Sequence, residues 1–209
     1  MNIKRYIATI ILAIVLLLNF SCTDWLDVKP VDRMSEDQLY STEAGFRQAL
    51  NGIYVELNHA DLYGDELLVN TVEILAQRYK FSSMGTLTNQ YHLAEFDYTT
   101  DYAKKCGSRI WEKAYALIAN VNKLLKNADS HKDLFTGDSY DLITGEAYAL
   151  RAFLHFDLLR LFGPVYKTHK EDKSICYNTQ FSLSGSDLLP ASKVMEYVIC
   201  LLYTSDAAD

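Results

Sequence analysis

A chain of 209 residues and 23.8 kDa has room for about one domain, and at 49% apolar and 22% charged it is neither disordered, collagen-like nor low-complexity. Twenty basic against 27 acidic residues give a formal charge of −7, the opposite of what phosphate neutralisation needs, so nucleic acid is not an expected partner. Tyrosine (15) outnumbers Phe (9) and Trp (2) together, a composition compatible with a surface that binds sugars or proteins.

Lys4 and Arg5 precede an uncharged, Ile- and Leu-rich run over 7–18. Such a run spans ~18 Å as a helix, against a bilayer core of ~30 Å. Residues 1–21 therefore read as an export signal rather than a permanent anchor. The run closes on Asn19-Phe20-Ser21-Cys22, a small residue directly before a cysteine, which resembles a bacterial lipoprotein cleavage site. Cys22 is the expected lipidation site, with ordinary signal cleavage near Ser21 as the alternative; acyl chains contribute about 0.8 kcal/mol per buried CH₂. Without Lys4 and Arg5 the mature charge is −9. Cys106, Cys176 and Cys200 remain, with no C-x-x-C spacing for zinc or redox chemistry.

Residues 22–34 are polar, contain Pro30 and read as a tether. Helical signals begin with Ser35-Glu36-Asp37-Gln38, a capping-box pattern, and restart at Ser41-Thr42-Glu43. Phe46, Leu50, Ile53, Tyr54 and Leu57 then recur at helical spacing. A second helix is expected over 67–79, and 80–100 reads as an aperiodic loop whose Tyr91, Tyr98 and Tyr102 neighbourhood is the weak ligand-binding candidate. Next come two adjoining stripes, Trp111, Tyr115, Ile118, Asn122, Leu125 and Ile110, Ala114, Leu117, Val121, Leu124. They make a wide apolar face that touches helices on more than one side, and place Trp111 and Tyr115 in the core rather than on a sugar platform.

A further helix is expected from about Tyr140 to Phe162, stopped by Gly163-Pro164. Glu146, Asp157 and Arg160 share one of its faces; Arg151 and His155, one turn apart, fall on the other beside Tyr148, Leu158 and Phe162. Charge on such a face has to be paired or hydrogen-bonded, so Arg151 and His155 read as a structural clamp between helices, with a binding or catalytic pair as the alternative. Val165-Tyr166-Lys167 reads as a short strand, the stretch to Ser186 as a polar loop, and Pro190-Ala191-Ser192 opens a last helix. The acidic residues read as a solvated face.

The acidic Glu146, then Leu150-Arg151-Ala152, the aromatic-rich turn through Phe153 and Phe156, and the Arg160-Leu161-Phe162-Gly163 ending together resemble the signature of SusD/RagB-like outer-membrane nutrient-uptake lipoproteins. Trp111, Tyr115, Ile118 and Ala119-Asn120 resemble the preceding helix of that family, Cys22 through Pro30 its lipidated start, and Leu189-Pro190-Ala191-Ser192-Lys193-Val194 the step into its next helix. The resemblance covers 22–199 and implies a mainly α, SusD-like fold of tetratricopeptide-like helical hairpins. It further implies a lipid-anchored, surface-exposed outer-membrane protein of Bacteroidota-type bacteria. Such a protein forms a lid over a SusC-like TonB-dependent transporter and captures oligosaccharide, polysaccharide or peptide for import.

Family members are much longer, so 35–199 is expected to be a truncated domain without the family's main ligand loops. The tail 200–209 resembles translated sequencing-adapter sequence and is expected to be foreign. No nucleotide-phosphate loop, H-E-x-x-H, nucleophile elbow or metal-ligand spacing is present, so no enzyme chemistry, metal or cofactor is expected. Alternative readings are a surface-anchored helical-repeat adaptor that binds only proteins, and a hydrolase whose catalytic half lies elsewhere.

Overall fold

A computed structural model of the chain describes residues 34–81, 85, 88–181 and 186–206. Cys22, the export signal and most of the tether lie outside these residues. The chain divides into Met1–Ser35 and Glu36–Asp209, and the helices and strands below belong to the second unit.

Helix α1 (Glu36–Leu39) turns directly into α2 (Glu43–Leu57). Thr42, extended at φ −145°, caps α2 by accepting a bond from the Gly45 amide at 3.2 Å, satisfying one orphan donor of its first turn. The turn is so tight that a Cβ at Gly45 would sit 1.7 Å from the Leu39 carbonyl oxygen. Phe46, Leu50, Ile53 and Leu57 are the buried face of α2.

The helix expected over 67–79 shrinks to α3 (Thr71–Leu75). The residues before it form successive turns, such as Leu67 N to Leu62 O (2.8 Å) and Val69 N to Asp65 O (2.9 Å). Gln77, at φ +59°, closes α3 by donating from its amide to the Ala94 carbonyl at 2.6 Å. The expected loop over 80–100 contains α4 (Thr88–Ala94), whose Leu93 and Ala94 join Ile74 and Ala103 in a small satellite core. Two apolar residues at the end of a seven-residue helix leave no periodicity to read.

Helix α5 (Asp101–Ser130) is longer than its apolar stripes imply, opening at Thr100, whose hydroxyl accepts from the Ala103 amide at 3.3 Å. A turn of 3₁₀ helix (Lys132–Leu134) leads to α6 (Ser139–Phe162), which stops at Gly163. Tyr140 reaches Asp129, Arg151 reaches Asn122 and Phe162 reaches Trp111, so α5 and α6 run antiparallel. Lys123 with Glu36 and Lys113 with Glu56 set α5 antiparallel to the α1–α2 segment in the same way.

The expected strand at Val165-Tyr166-Lys167 is instead a helical turn, α7 (Tyr166–His169). The expected polar loop holds β1 (Lys173–Cys176), antiparallel to β2 (Leu188–Pro190) with Lys173 opposite Pro190 and Cys176 opposite Leu188. Ser174 and Ile175 are buried there, too short an alternation to announce a strand. Helix α8 (Ala191–Asp206) follows.

One core gathers Leu117, Ile118, Val121 and Leu124 of α5, Ala147, Leu150, Leu154 and Leu158 of α6, and Val194 and Val198 of α8. Each fully buried leucine contributes roughly 1.5–3 kcal/mol. Helix α6 is buried around most of its circumference, polar Thr144, Arg151, His155 and Asp157 included, as a helix with neighbours on several sides must be. The fold is mainly α, built from helical hairpins. Among the described residues no helix is long and apolar enough to cross a membrane, and no disulfide joins Cys106, Cys176 or Cys200.

Candidate functional site

Two features stand out around α5. The first is a groove of about 570 Å³ where the start of α5 meets α3, α4 and the end of α6. Tyr98, Trp111 and Phe162 give it aromatic surface, while Lys104, Ser108 and Glu112 give it polar groups. Phe96 at φ +59° bends the chain out of α4. Asp97 then accepts from the Thr99 amide (3.0 Å) and hydroxyl (2.6 Å), a turn that displays Tyr98 with 56% of its surface exposed. Those two bonds also hold the Asp97 carboxyl below its ordinary pKa.

Trp111 is half-buried rather than fully in the core: its ring lies edge-on to Phe162 at 5.1 Å and tilted against Tyr115 at 4.8 Å, and it lines the groove. Core membership and a place on a groove wall are both true of it, a combination that periodicity alone does not separate. Tyr91 and Tyr102 lie elsewhere. Half-buried on α4, Tyr91 sits edge-on to His92 at 5.7 Å. Tyr102 packs on the satellite core beside Leu75 and Phe81, and burial, with Cys106 nearby, pushes its hydroxyl up to about 12. Of the three candidate tyrosines, Tyr98 alone contributes to the groove.

Two buried acids tie the segment before α3 to α5 and α6. Glu66, 3% exposed, accepts from Thr71 at 2.5 Å and pairs with Arg109 of α5 at 2.7 Å. Asp157 of α6 accepts from Tyr63 at 2.5 Å and pairs with Arg160 at 2.8 Å. The reading of the acidic residues as a solvated face therefore fails at Glu66 and Asp157, because Arg109 and Tyr63, which help to bury them, come from distant segments that sequence spacing cannot bring together.

The second feature centres on Arg151 and His155. Arg151 Nη1 donates to Asn122 Oδ1 at 2.9 Å and to the Thr179 carbonyl at 3.4 Å. Asn122 in turn donates to the Asn178 carbonyl at 3.0 Å. His155 Nδ1 donates to the Arg151 carbonyl at 2.8 Å, leaving Nε2 to accept the Asn178 amide at 3.1 Å. That bonding defines a neutral Nδ1–H tautomer, and burial lowers the His155 pKa to about 4. Tyr115 donates to the Cys176 carbonyl at 2.7 Å, and the Tyr177 ring lies tilted between those of His155 (4.3 Å) and Tyr197 (4.8 Å). What α5 and α6 grip between them is thus the backbone of the segment leaving β1. Among the described residues no cluster of His, Cys, Asp or Glu could hold a metal ion.

A SusD-like family model, described as starch-binding and associating with the outer membrane, matches residues 24–188. The chain belongs to that family. Two SusD-like proteins of Formosa agariphila, P2 and P25, are 27% identical to it over 162 and 148 residues, or 78% and 69% of this chain. The chain spans about 30% of the length of these relatives (30% and 28%). A SusD superfamily protein from Bacteroides thetaiotaomicron superposes with TM-score 0.61 at 19% identity. So does a protein from Bacteroides vulgatus described as sugar binding, with TM-score 0.61 at 23% identity; both matches cover 80% of this chain and 37% of the other. Helical hairpins and family membership thus agree.

Proposed function

We propose that this protein captures an oligosaccharide or polysaccharide at the cell surface and passes it to a partner TonB-dependent transporter, without chemical change. The observation that carries the reading is the groove that joins exposed Tyr98 to half-buried Trp111 in a chain of a family described as starch-binding. A sugar ring offers an apolar C–H face to an aromatic side chain and hydroxyls to polar neighbours, which Lys104, Ser108 and Glu112 supply. The same residues lack the pairing of a base with an oriented nucleophile that catalysis needs, which favours binding. Lipidation at Cys22 would hold the groove near the membrane.

A glycan array probed with the protein and with Tyr98→Ala tests the proposal. Retention by at least one polysaccharide, weakened tenfold or more by Tyr98→Ala, is expected; an exposed tyrosine can be cut back with little effect on folding. Equal retention of both proteins would remove the groove from the account. Silence across the array, with a transporter still co-purifying, would favour the protein-only adaptor.

A further inference from the structure

We propose that the hollow beside Arg151 is an oxyanion site, built to take a carboxylate or sulfate group. The hollow, of about 490 Å³, is distinct from the Tyr98 groove and is lined by Asn122, Lys126, Tyr148, Arg151 and Thr179 among others. Arg151 is only 7% exposed, and Nη1 meets neutral oxygens alone, those of Asn122 and Thr179. Its Nε has no hydrogen-bond partner, and among the described residues no carboxylate lies within ion-pair distance of the guanidinium. A buried cation compensated only by amide oxygens is costly, and the face of Tyr148 at 5.2 Å offsets part of that cost without supplying a counter-charge.

The open side of the hollow adds a second cation, exposed Lys126. Lys123, nearby on the same helix, stands 4.9 Å above the ring of Phe181, which also lines the hollow. One acid, Asp129, lines it too, but that carboxylate already accepts from Tyr140 at 2.6 Å and lies 3.7 Å from Lys132. The hollow is therefore positive in a protein whose overall charge is −7. A planar guanidinium without a counter-charge beside an exposed ammonium suits an oxyanion, which would supply the missing charge. A uronate or sulfated sugar and a free inorganic anion share this chemistry.

Calorimetric titration of the protein with trigalacturonate, with a neutral trisaccharide and with sodium sulfate separates the sources. Trigalacturonate is expected to bind at least tenfold more tightly than the neutral trisaccharide. That advantage should shrink tenfold in Lys126→Gln and in Arg151→Lys, and survive in Tyr98→Ala. Sulfate binding with the same variant dependence, and no response to trigalacturonate, would keep the site and assign it to a free anion. Absence of binding by either anion, or affinities untouched by Lys126→Gln, would overturn the proposal. Lys126 is exposed, so its substitution leaves the fold intact and the Tyr98 reading independent of the outcome.

Discussion

His155 spends both ring nitrogens on the backbone, donating to Arg151 and accepting from Asn178, so a second proton has nowhere to go without breaking the Nε2 contact. With a folded pKa near 4 and an ordinary value of 6.5, the unfolded chain takes up the proton first as pH falls. Stability contributed by neutral His155 is thus complete above pH 6.5 and drains away between 6.5 and 4, a loss of about 3 kcal/mol. Urea midpoints across that range should decline in the native protein, and an NMR titration should find the His155 ring neutral to about pH 4. A ring that titrates near 6.5 would break this description of the clamp. Asn122 shares the arrangement: its side chain joins Arg151 to the Asn178 carbonyl at 2% exposure. Asn122→Ala strands both partners and should cost about 2–3 kcal/mol in chemical denaturation.

Among the elements, α5 and α6 were readable because each carries three or more turns of apolar repeat and α6 has a Gly-Pro stop. Helix α4 and strands β1 and β2 were not, since each is a few residues long and depends on partners far away in the chain. Tyr98 could be singled out as a surface aromatic, yet its union with Trp111 in one groove rests on how α3, α4, α5 and α6 come together, and Glu66 with Arg109 spans 43 positions. Arg151 and His155 announced themselves by polarity on an apolar face, while the strand-exit backbone they hold gave no such signal. The α1–α2 junction offers a test at this scale. Gly45→Ala would drive a methyl into the Leu39 carbonyl and should separate the two helices at a cost of about 3 kcal/mol, visible as lost amide protection around Phe46.

At the scale of the whole molecule, family membership and fold agree on a helical scaffold, and the groove supplies a place for a ligand to lie. Lipidation is the proposed link between that scaffold and the membrane: mass spectrometry of the mature N-terminus should find diacylated Cys22, and an unmodified thiol there would remove the anchor. Glycan, in the proposed function, contacts the wall shared by Tyr98 and Trp111. The chain has two tryptophans, Trp25 and Trp111, so in a Trp25→Phe background emission reports on Trp111 alone. Titration with the retained glycan should shift that emission saturably, and Tyr98→Ala should abolish the shift. Calorimetric binding of the same glycan with Trp111 emission unmoved would contradict the account.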